Sequence, residues 1–249
     1  MKLLVCISHV PDTETRIKII RDGQEFDMSG INWIINPWDE LGLTRAVELR
    51  KEHAGLIESL TVVTVGNADT EPTLRKALAM GADRAIRIDA TPPDAWFVAS
   101  QIAEVINREY FDIVLTGKES SDFNGHAVGG MLSELTGYAC LPNISAIDIK
   151  GNMIIVQREV EGGTEKLEAE VPFIAVIQKG VAASPGIPTM RGISEARKKP
   201  VEVVQAIEAG NFIEYGDYEL PASKGGCRII TDPEFGELVK RLHAESWIA

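Results

Sequence analysis

The residues that point most directly to chemistry lie in one stretch, TGKESSDFNGHAVGGMLSEL, at positions 116–135. It comes off an apolar run typical of a buried strand and opens a predicted helix over 124–137. The early part of that helix contains four small residues: Gly125, Ala127, Gly129 and Gly130. A helix start offers free N–H groups and the positive end of a dipole, so the stretch predicts a phosphate site. Alternatively, the small residues only let the helix pack closely on a sheet.

No catalytic set accompanies this helix start in the sequence. We find no P-loop Lys-Ser pair, no G-x-G-x-x-G run, no zinc-binding helix motif and no nucleophile elbow. None of the four histidines has a His or Cys neighbour at metal-ligand spacing: His9, His53, His126 and His243. His126 is placed to reach a phosphate at the helix start, whereas Ser120, Ser121 and Asp122 either cap the helix or contact a ribose. The residues predict a nucleotide-binding protein without catalytic residues or a metal.

Composition excludes several other classes of protein. The chain has 249 residues, is 45% hydrophobic and carries a net charge of −12, which disfavours a nucleic-acid partner. Three widely spaced cysteines, Cys6, Cys140 and Cys227, predict neither a disulfide framework nor a metal site and fit a reducing compartment. The N-terminal apolar run is too short for a signal peptide or a membrane span. We expect a cytoplasmic, bacterial protein.

Strand-like and helix-like segments alternate along the chain. Five short, almost continuously apolar segments predict strands buried on both faces: 2–8, 59–65, 84–88, 111–117 and 173–178. Helical patterns lie between them at 38–53, 70–80, 93–109 and 124–137. Asn36 as N-cap and Pro37 as the first helical residue predict the start of the first helix. The alternation predicts a doubly wound α/β fold with a mostly parallel sheet.

Two insertions and a tail depart from this alternation. Residues 16–28 and 153–171 each predict a β-hairpin, around Asp22-Gly23 and Gly162-Gly163 respectively. The composition turns rich in Gly, Pro and Ala after the strand at 173–178. Beyond that point we expect a strand at 201–206 and a terminal helix near 232–245, with too few apolar residues for a separate core.

We therefore predict an α/β domain over 1–178 and an arm over 179–249 that wraps against a surface, either that of this domain or that of another chain. A basic cluster over 191–200, which includes Arg191, is either a docking element or a solvated connector helix. In open parallel sheets, ligands bind beyond the carboxyl ends of the strands. The sequence brings four segments to that edge: 6–10, 36–39, 65–67 and 117–131.

Several ordered motifs resemble the β subunit of electron transfer flavoprotein. They run along nearly the whole chain: INPWDELGLTRAVELR (35–50), TLRKALAMGADRAIRI (73–88), TGKESSDFNGHAVGGMLSEL (116–135), QREVEGGTEKLEAEVPFIAVIQ (157–178) and MRGISEARKKP (190–200). The resemblance implies a heterodimer in which an α subunit holds a redox-active FAD. It also implies an adenine nucleotide hydrolase-like β subunit that buries an AMP and embraces α with its arm.

The resemblance implies the position of each cofactor contact. The AMP contacts carried over by position are Cys6, Asn36, Pro37, Trp38, Asp39, Val65, Asp122, Asn124, Gly125, His126, Ala127, Val128, Gly129, Gly130 and Met131. The loop 8–13 is expected near the flavin edge, and Glu165 near the mobile flavin domain of α. Bifurcating relatives hold a second FAD here and have a small residue, a threonine and a glutamine where this chain has Phe123, Gly125 and Ala127. AMP is therefore the expected nucleotide.

The resemblance also implies electron-transfer partners. Acyl-CoA or other flavin dehydrogenases are expected as donors, and a quinone-linked oxidoreductase as the acceptor. The expected docking loop lies over 181–190, with exposed Ala182 and Ile187 as contacts, where the family carries a leucine followed by Asn-(Glu/Lys)-Pro-Arg. Two other functions remain open: a bifurcating-type subunit with a second FAD, and an ATP-utilising enzyme of the same fold. The latter usually has S-G-G-x-D-S after the first strand, where this chain has SHVPDT.

Overall fold

A computed structural model describes residues 1–20, 25–151, 153–216, 218–223, 225–227, 229–230, 235–245 and 247. The chain divides into two compact units. The first contains Met1–Lys18 and Asp27–Tyr215, and the second contains Ile19–Phe26 and Gly216–Ala249. None of the helices in the described part of the chain has the length and hydropathy needed to cross a membrane.

The first unit contains most of the regular structure. Its strands are β1 Lys2–Cys6, β2 His9–Pro11, β5 Trp33–Ile35, β6 Ser59–Val65, β7 Arg84–Asp89, β8 Ile113–Gly117, β9 Ala139–Lys150, β10 Met153–Val160, β11 Gly163–Ala169, β12 Phe173–Ile177 and β13 Val201–Gln205. Its helices are α1 Pro37–Glu52, α2 Glu71–Met80, α3 Ala95–Arg108, α4 Val128–Thr136 and α5 Met190–Ala196.

Nine strands form one sheet in the order β11-β10-β9-β12-β8-β1-β6-β7-β13. The pairs from β9 through β12 to β13 are parallel, and the pairs β9–β10 and β10–β11 are antiparallel. The predicted doubly wound α/β fold is therefore confirmed. So is the hairpin at 153–171, in which β10 pairs with β11. A separate two-stranded sheet joins β2 to β5.

The strands are almost continuously apolar because helices cover both faces of the sheet. On β1, Leu3 belongs to the buried cluster that includes Leu43 of α1, and the next residue, Leu4, belongs to the cluster that includes Ile102 of α3. Successive side chains of a strand point to opposite faces, so a central strand needs apolar residues at every position.

Two local predictions change in the structure, and a third is confirmed. Helix α4 begins at Val128 rather than at 124, because residues 118–127 form an irregular loop. The sequence pattern gave no strand at Ala139–Lys150, yet these residues form β9, which pairs with β12 and β10. Strand β13, Val201–Gln205, confirms the strand predicted at 201–206, and it extends the main sheet next to β7.

The second unit has its own local contacts. Strands β3 Ile19–Ile20 and β4 Glu25–Phe26 pair antiparallel, as the hairpin prediction required. The turn expected at Asp22-Gly23 lies outside the described residues. The ring of Phe26 lies 4.1 Å from that of Tyr218, and helix α6, Phe235–Ala244, has no buried residue among those described.

Candidate functional site

The loops that follow β1 and β8 are joined by the start of α1. These two strands are neighbours in the sheet, so their carboxyl ends lie side by side. Helix α1 begins at Pro37, as predicted, but the side chain of Asn36 makes no capping hydrogen bond. The Asn36 side chain instead forms hydrogen bonds with residues that are far away in sequence.

Asn36 connects the start of α1 to the loop after β8. Its side chain is fully buried. Its Nδ2 donates to the carbonyl oxygen of Glu119 at 2.8 Å, and its Oδ1 accepts from the backbone N–H of Ser121 at 3.1 Å. Its own backbone N–H donates to the carbonyl oxygen of Ser8 at 3.0 Å. Both ends of this side-chain amide are thus taken by protein backbone.

Asp39, one turn further along, completes the connection. Its Oδ2 accepts from the N–H of Ser8 at 2.7 Å and its Oδ1 from the N–H of Gly117 at 2.9 Å. A side chain at Gly117 would overlap Asp39 Oδ1, so glycine is required there. Asn36 and Asp39 therefore position the two loops through hydrogen bonds to their backbone.

Burial changes the acid–base properties of this region. Loss of solvent raises the pKa of Asp39 to about 7, although the hydrogen bonds from Ser8, Asn36 and Gly117 act in the opposite direction. Burial also raises the pKa of the Cys6 thiol, and the Asp39 carboxyl adds to that shift. The Cys6 side chain is consequently held as a neutral, apolar group at the end of β1.

The start of α4 has the features expected of an anion site. No side chain caps it, since its N-cap residue is Ala127. The first N–H groups of a helix have no partner within the helix, so here they remain available to a ligand. A Cβ on Gly125 or Gly130 would meet no atom within 4 Å, which leaves the approach to the backbone unobstructed. This geometry fits a phosphate.

Gly129 explains why this helix starts so close to the sheet. A Cβ at this position would lie 2.5 Å from Cγ2 of Val176 and 3.1 Å from Oγ1 of Thr116. The close packing that the sequence left as an alternative explanation of the small residues therefore applies to Gly129. The open surroundings of Gly125 and Gly130 are compatible with the phosphate explanation at the same helix start.

The loop 118–127 is held by its own polar contacts. Asn124 and His126 both have φ of 51°, a region that non-glycine residues adopt infrequently. The N–H of Asn124 donates to the carbonyl oxygen of Ser120 at 2.8 Å, and His126 Nε2 contacts the Glu119 carboxylate. His126 thus lies in this loop, before α4, although the sequence predicts a helix over 124–137.

Two further expectations about this loop are revised. Ser120, Ser121 and Asp122 do not cap α4, because the helix begins six residues after Asp122 and its N-cap is Ala127. The ring of Phe123 is 58% exposed and lies 5.0 Å from the ring of Tyr215. Its bulk is directed along the surface toward Tyr215, so the argument against a second FAD rests on Gly125 and Ala127 alone.

The remaining predicted contacts surround the same edge of the sheet. Trp38 lies beside Gly117: a Cβ added to Gly117 would be 3.0 Å from the Cβ of Trp38. Val65 ends β6, the other neighbour of β1, and is partly buried. Val128 and Met131, in the first turn of α4, are also partly buried. The predicted contacts are therefore the last residues of β1 and β6, the start of α1 with its N-cap Asn36, and the loop and first turn that follow β8.

A histidine that the sequence left unassigned is held in this region. His9 stacks on Trp33, with ring centroids 4.5 Å apart and planes at 7°, and its Nδ1 lies 2.7 Å from Thr73 Oγ1. Burial lowers the pKa of His9, although Asp69 and Asp122 oppose the shift. The contact fixes the loop after β1 against β5 and α2, and no spacing pattern connects the three side chains in sequence.

The predicted docking loop is partly buried. Ala182 is only 7% exposed and, with Val181, belongs to the main core, so the expectation that Ala182 is exposed is wrong. The N–H of Gly186 donates to Thr44 Oγ1 at 2.8 Å, which ties the loop to α1. Ile187 is 90% exposed, as expected.

The neighbouring positions extend this exposed surface. Met190, the last residue of the predicted docking loop, is 84% exposed, although the sequence did not single it out as a contact. Arg191, in α5, is exposed and pairs with Glu195 at 2.7 Å. On the hairpin, Glu165 accepts hydrogen bonds from Arg158.

One group of residues has the donors for a metal ion. Glu52, His53 and Asp148 bring their ligand atoms within 4.8 Å of one another. However, Arg45 donates to both carboxylate oxygens of Glu52, at 3.0 and 2.9 Å, and neutralises its charge. We assign no metal to this group.

The fold and the site define a class of protein: a doubly wound α/β domain with a glycine-rich, uncapped helix start at the carboxyl edge of a parallel sheet. Residues 25–209 match the family model described as the electron transfer flavoprotein domain. The chain therefore belongs to the electron transfer flavoprotein family, and the three curated relatives described next are named as β subunits.

Three relatives illustrate the match. An electron transfer flavoprotein subunit beta of Syntrophomonas wolfei is 35% identical over 94% of this chain and 92% of its own length. The Bacillus subtilis protein of the same name is 35% identical over 82% of this chain and 79% of its own length. The Sus scrofa protein is 30% identical over 84% and 83%.

Proposed function

We propose that this chain is the β subunit of a heterodimeric electron transfer flavoprotein. Its α subunit would hold the redox-active FAD, and this chain would bind AMP as a structural group without a reaction of its own. The observation that carries the proposal is the similarity to β subunits over almost the full length of both chains. The start of α4 supports the nucleotide part, because its uncapped backbone suits a single phosphate.

The proposal assigns different tasks to different residues. The backbone N–H groups of Val128, Gly129 and Gly130 bind the phosphate. Asn36 and Asp39 hold the loops that surround the nucleotide, through the hydrogen bonds they make to backbone groups. This division accounts for the absence of a Lys-Ser pair in the sequence, because a monophosphate does not need the contacts that a magnesium triphosphate requires.

Electron transfer would use a separate surface. Flavin dehydrogenases such as acyl-CoA dehydrogenases would dock at the exposed apolar side chains of Ile187 and Met190, beside Arg191. A small exposed apolar contact suits a carrier that must leave after each transfer, because weak complexes of this kind bury little surface. A quinone-linked oxidoreductase would be the acceptor.

The test is to purify the chain with any subunit that accompanies it, denature the complex and quantify the released nucleotides. One FAD and one AMP per heterodimer are expected. Two FAD and no AMP would establish the bifurcating alternative, which the outward position of Phe123 leaves sterically open. Hydrolysis of ATP by the purified complex with magnesium would support the enzyme alternative, whereas no turnover is expected for a carrier subunit.

A further inference from the structure

Residues 207–215, the last part of the first unit, form a segment that is tied to α3 at two places. Gln101 makes a pair of hydrogen bonds with the backbone of Ile207, at 2.9 and 2.8 Å. Asp94 Oδ2 accepts from the N–H groups of Phe212 and Ile213, at 2.7 and 3.1 Å. Gln101 and Asp94 are 2% and 6% exposed, so this segment is anchored by buried side chains.

Aromatic contacts continue from these anchors to the candidate nucleotide site. Phe212 packs edge-on against Trp96 of α3, with centroids 5.2 Å apart. Three residues later, the ring of Tyr215 lies 5.0 Å from Phe123, in the loop 118–127 that leads into α4. Tyr215 lies outside the loop 118–127 and contacts it through Phe123. The segment that carries Tyr215 is anchored to α3 by its own hydrogen bonds.

Polar contacts hold this loop, and the ring contact of Phe123 adds to them. Two of its residues, Asn124 and His126, have positive φ, and non-glycine residues persist there when surrounding contacts hold them. A Cβ on Gly125, between them, would meet nothing within 4 Å, so the tip of the loop has little packing of its own. The contact between Phe123 and Tyr215 supplies apolar packing next to this tip.

We propose that Tyr215 is a positioning residue for the nucleotide site, and that residues 207–215 act as a strap that holds the loop 118–127 through Phe123. This inference rests on the proposed function, since it assigns the nucleotide to the start of α4. Coupling between two sites is reciprocal, so the nucleotide must stabilise the strap by as much as the strap stabilises nucleotide binding.

The size of the effect follows from the contact. An aromatic pair of this geometry contributes about 0.5–1.5 kcal/mol beyond its buried area, which corresponds to about a 2- to 12-fold change in affinity. Because rings rather than the phenol hydroxyl make the contact, a phenylalanine at position 215 should replace the tyrosine. Phe123 supplies the other ring of the contact, so loss of either ring should have the same effect.

The first experiment measures AMP binding by calorimetry. The purified complex is freed of nucleotide by unfolding and refolding. Tyr215→Ala should weaken AMP binding by about 2- to 12-fold. Tyr215→Phe should bind as the wild type does. Tyr110→Ala is the matched control, because Tyr110 is 52% exposed and contacts another ring, Tyr138, at 6.4 Å, outside the loop.

The second experiment tests the reciprocal effect by chymotrypsin cleavage after Phe212, followed by mass spectrometry. AMP should slow this cleavage several-fold in the wild type and in Tyr215→Phe, but not in Phe123→Ala. This readout separates a positioning role from a merely structural one, since general destabilisation would not remove the dependence on nucleotide.

The two experiments distinguish the inference from the function on which it rests. If the wild type binds AMP, but Tyr215→Ala binds it equally and AMP does not protect Phe212, the strap is overturned and the proposed function stands. If the refolded wild type binds no AMP, both are overturned. A double variant, Phe123→Ala with Tyr215→Ala, should be no weaker than either single variant, and additive losses would also contradict the proposed contact.

Discussion

The carboxylate of Asp39 occupies the space in which a side chain at Gly117 would lie, and it accepts the N–H of Gly117 at 2.9 Å. The other oxygen of Asp39 accepts from Ser8 at 2.7 Å. One buried acid on α1 thereby fixes the ends of two neighbouring strands, β1 and β8. Because burial raises the pKa of Asp39 to about 7, we expect the stability of the fold to depend on pH through this residue.

Asp39→Asn should change how stability depends on pH. The pKa of Asp39 in the folded chain is about 7, above its ordinary value of 3.8, so between those pH values the folded state holds a proton that the unfolded chain has lost. This stabilisation is fully present below pH of about 4 and is lost as pH rises through about 7. The unfolding free energy of the wild type, relative to Asp39→Asn, should fall by up to about 1.4 kcal/mol per pH unit in that window.

Urea unfolding at a series of pH values from 4 to 8 measures this difference. The Asp39→Asn substitution also changes stability in a way that does not depend on pH. The slopes of unfolding free energy against pH are therefore compared, and not the absolute values. Parallel curves for the two proteins would show that Asp39 titrates in the same way in the folded and unfolded chains.

Asn36→Ala should destabilise the chain by about 1–3 kcal/mol, because it leaves the N–H of Ser121 and the carbonyl of Glu119 without their partner. AMP binding should weaken as well, since the loop after β8 loses its attachment to α1. Asn107→Ala, at an exposed position on α3, is the control and should change stability by no more than about 0.5 kcal/mol. Equal stability of the two variants in thermal unfolding would rule out the positioning role of Asn36.

Gly129→Ala and Gly130→Ala should act in opposite directions although they are adjacent. An alanine at 129 would place its methyl 2.5 Å from Val176 Cγ2, and relief of that overlap should cost about 1–3 kcal/mol. An alanine at 130 meets nothing within 4 Å and should stabilise α4 by about 0.5–1 kcal/mol. Melting temperatures of the two variants provide the comparison, and a stabilised Gly129→Ala would contradict the packing of α4 on β12.

Met190→Glu should slow reduction of the complex by a dehydrogenase while leaving its flavin spectrum unchanged, because a charge replaces an apolar side chain at the proposed docking surface. Ile187→Asp should have a similar effect, since both side chains are almost fully exposed. Met153→Glu, at the start of β10, is the control for a charge at an exposed methionine. The rate of flavin reduction by the dehydrogenase is measured by stopped flow. Equal rates for the Met190→Glu and Met153→Glu variants would place the docking surface elsewhere.

Much of the fold could be predicted because its signals are local. The continuous apolar character of segments such as SLTVVTV, at 59–65, reflects burial on both faces and gives the bounds of β6 correctly. Asn36 and Pro37 likewise predict the start of α1. Strand β9 was missed because its burial is irregular along its length and it contains Pro142, a residue that breaks the strand pattern.

The sequence by itself determined the α/β class, the alternation of elements and, through its ordered motifs, the family. The tertiary structure decided what individual side chains do. Asn36 bonds to Glu119, 83 residues away, and Asp39 to Gly117, 78 residues away, so their role in joining two loops depends on strand order in the sheet. Local patterns report burial and backbone preference over a few residues, whereas hydrogen-bond partners and ring contacts are selected only when distant strands become neighbours.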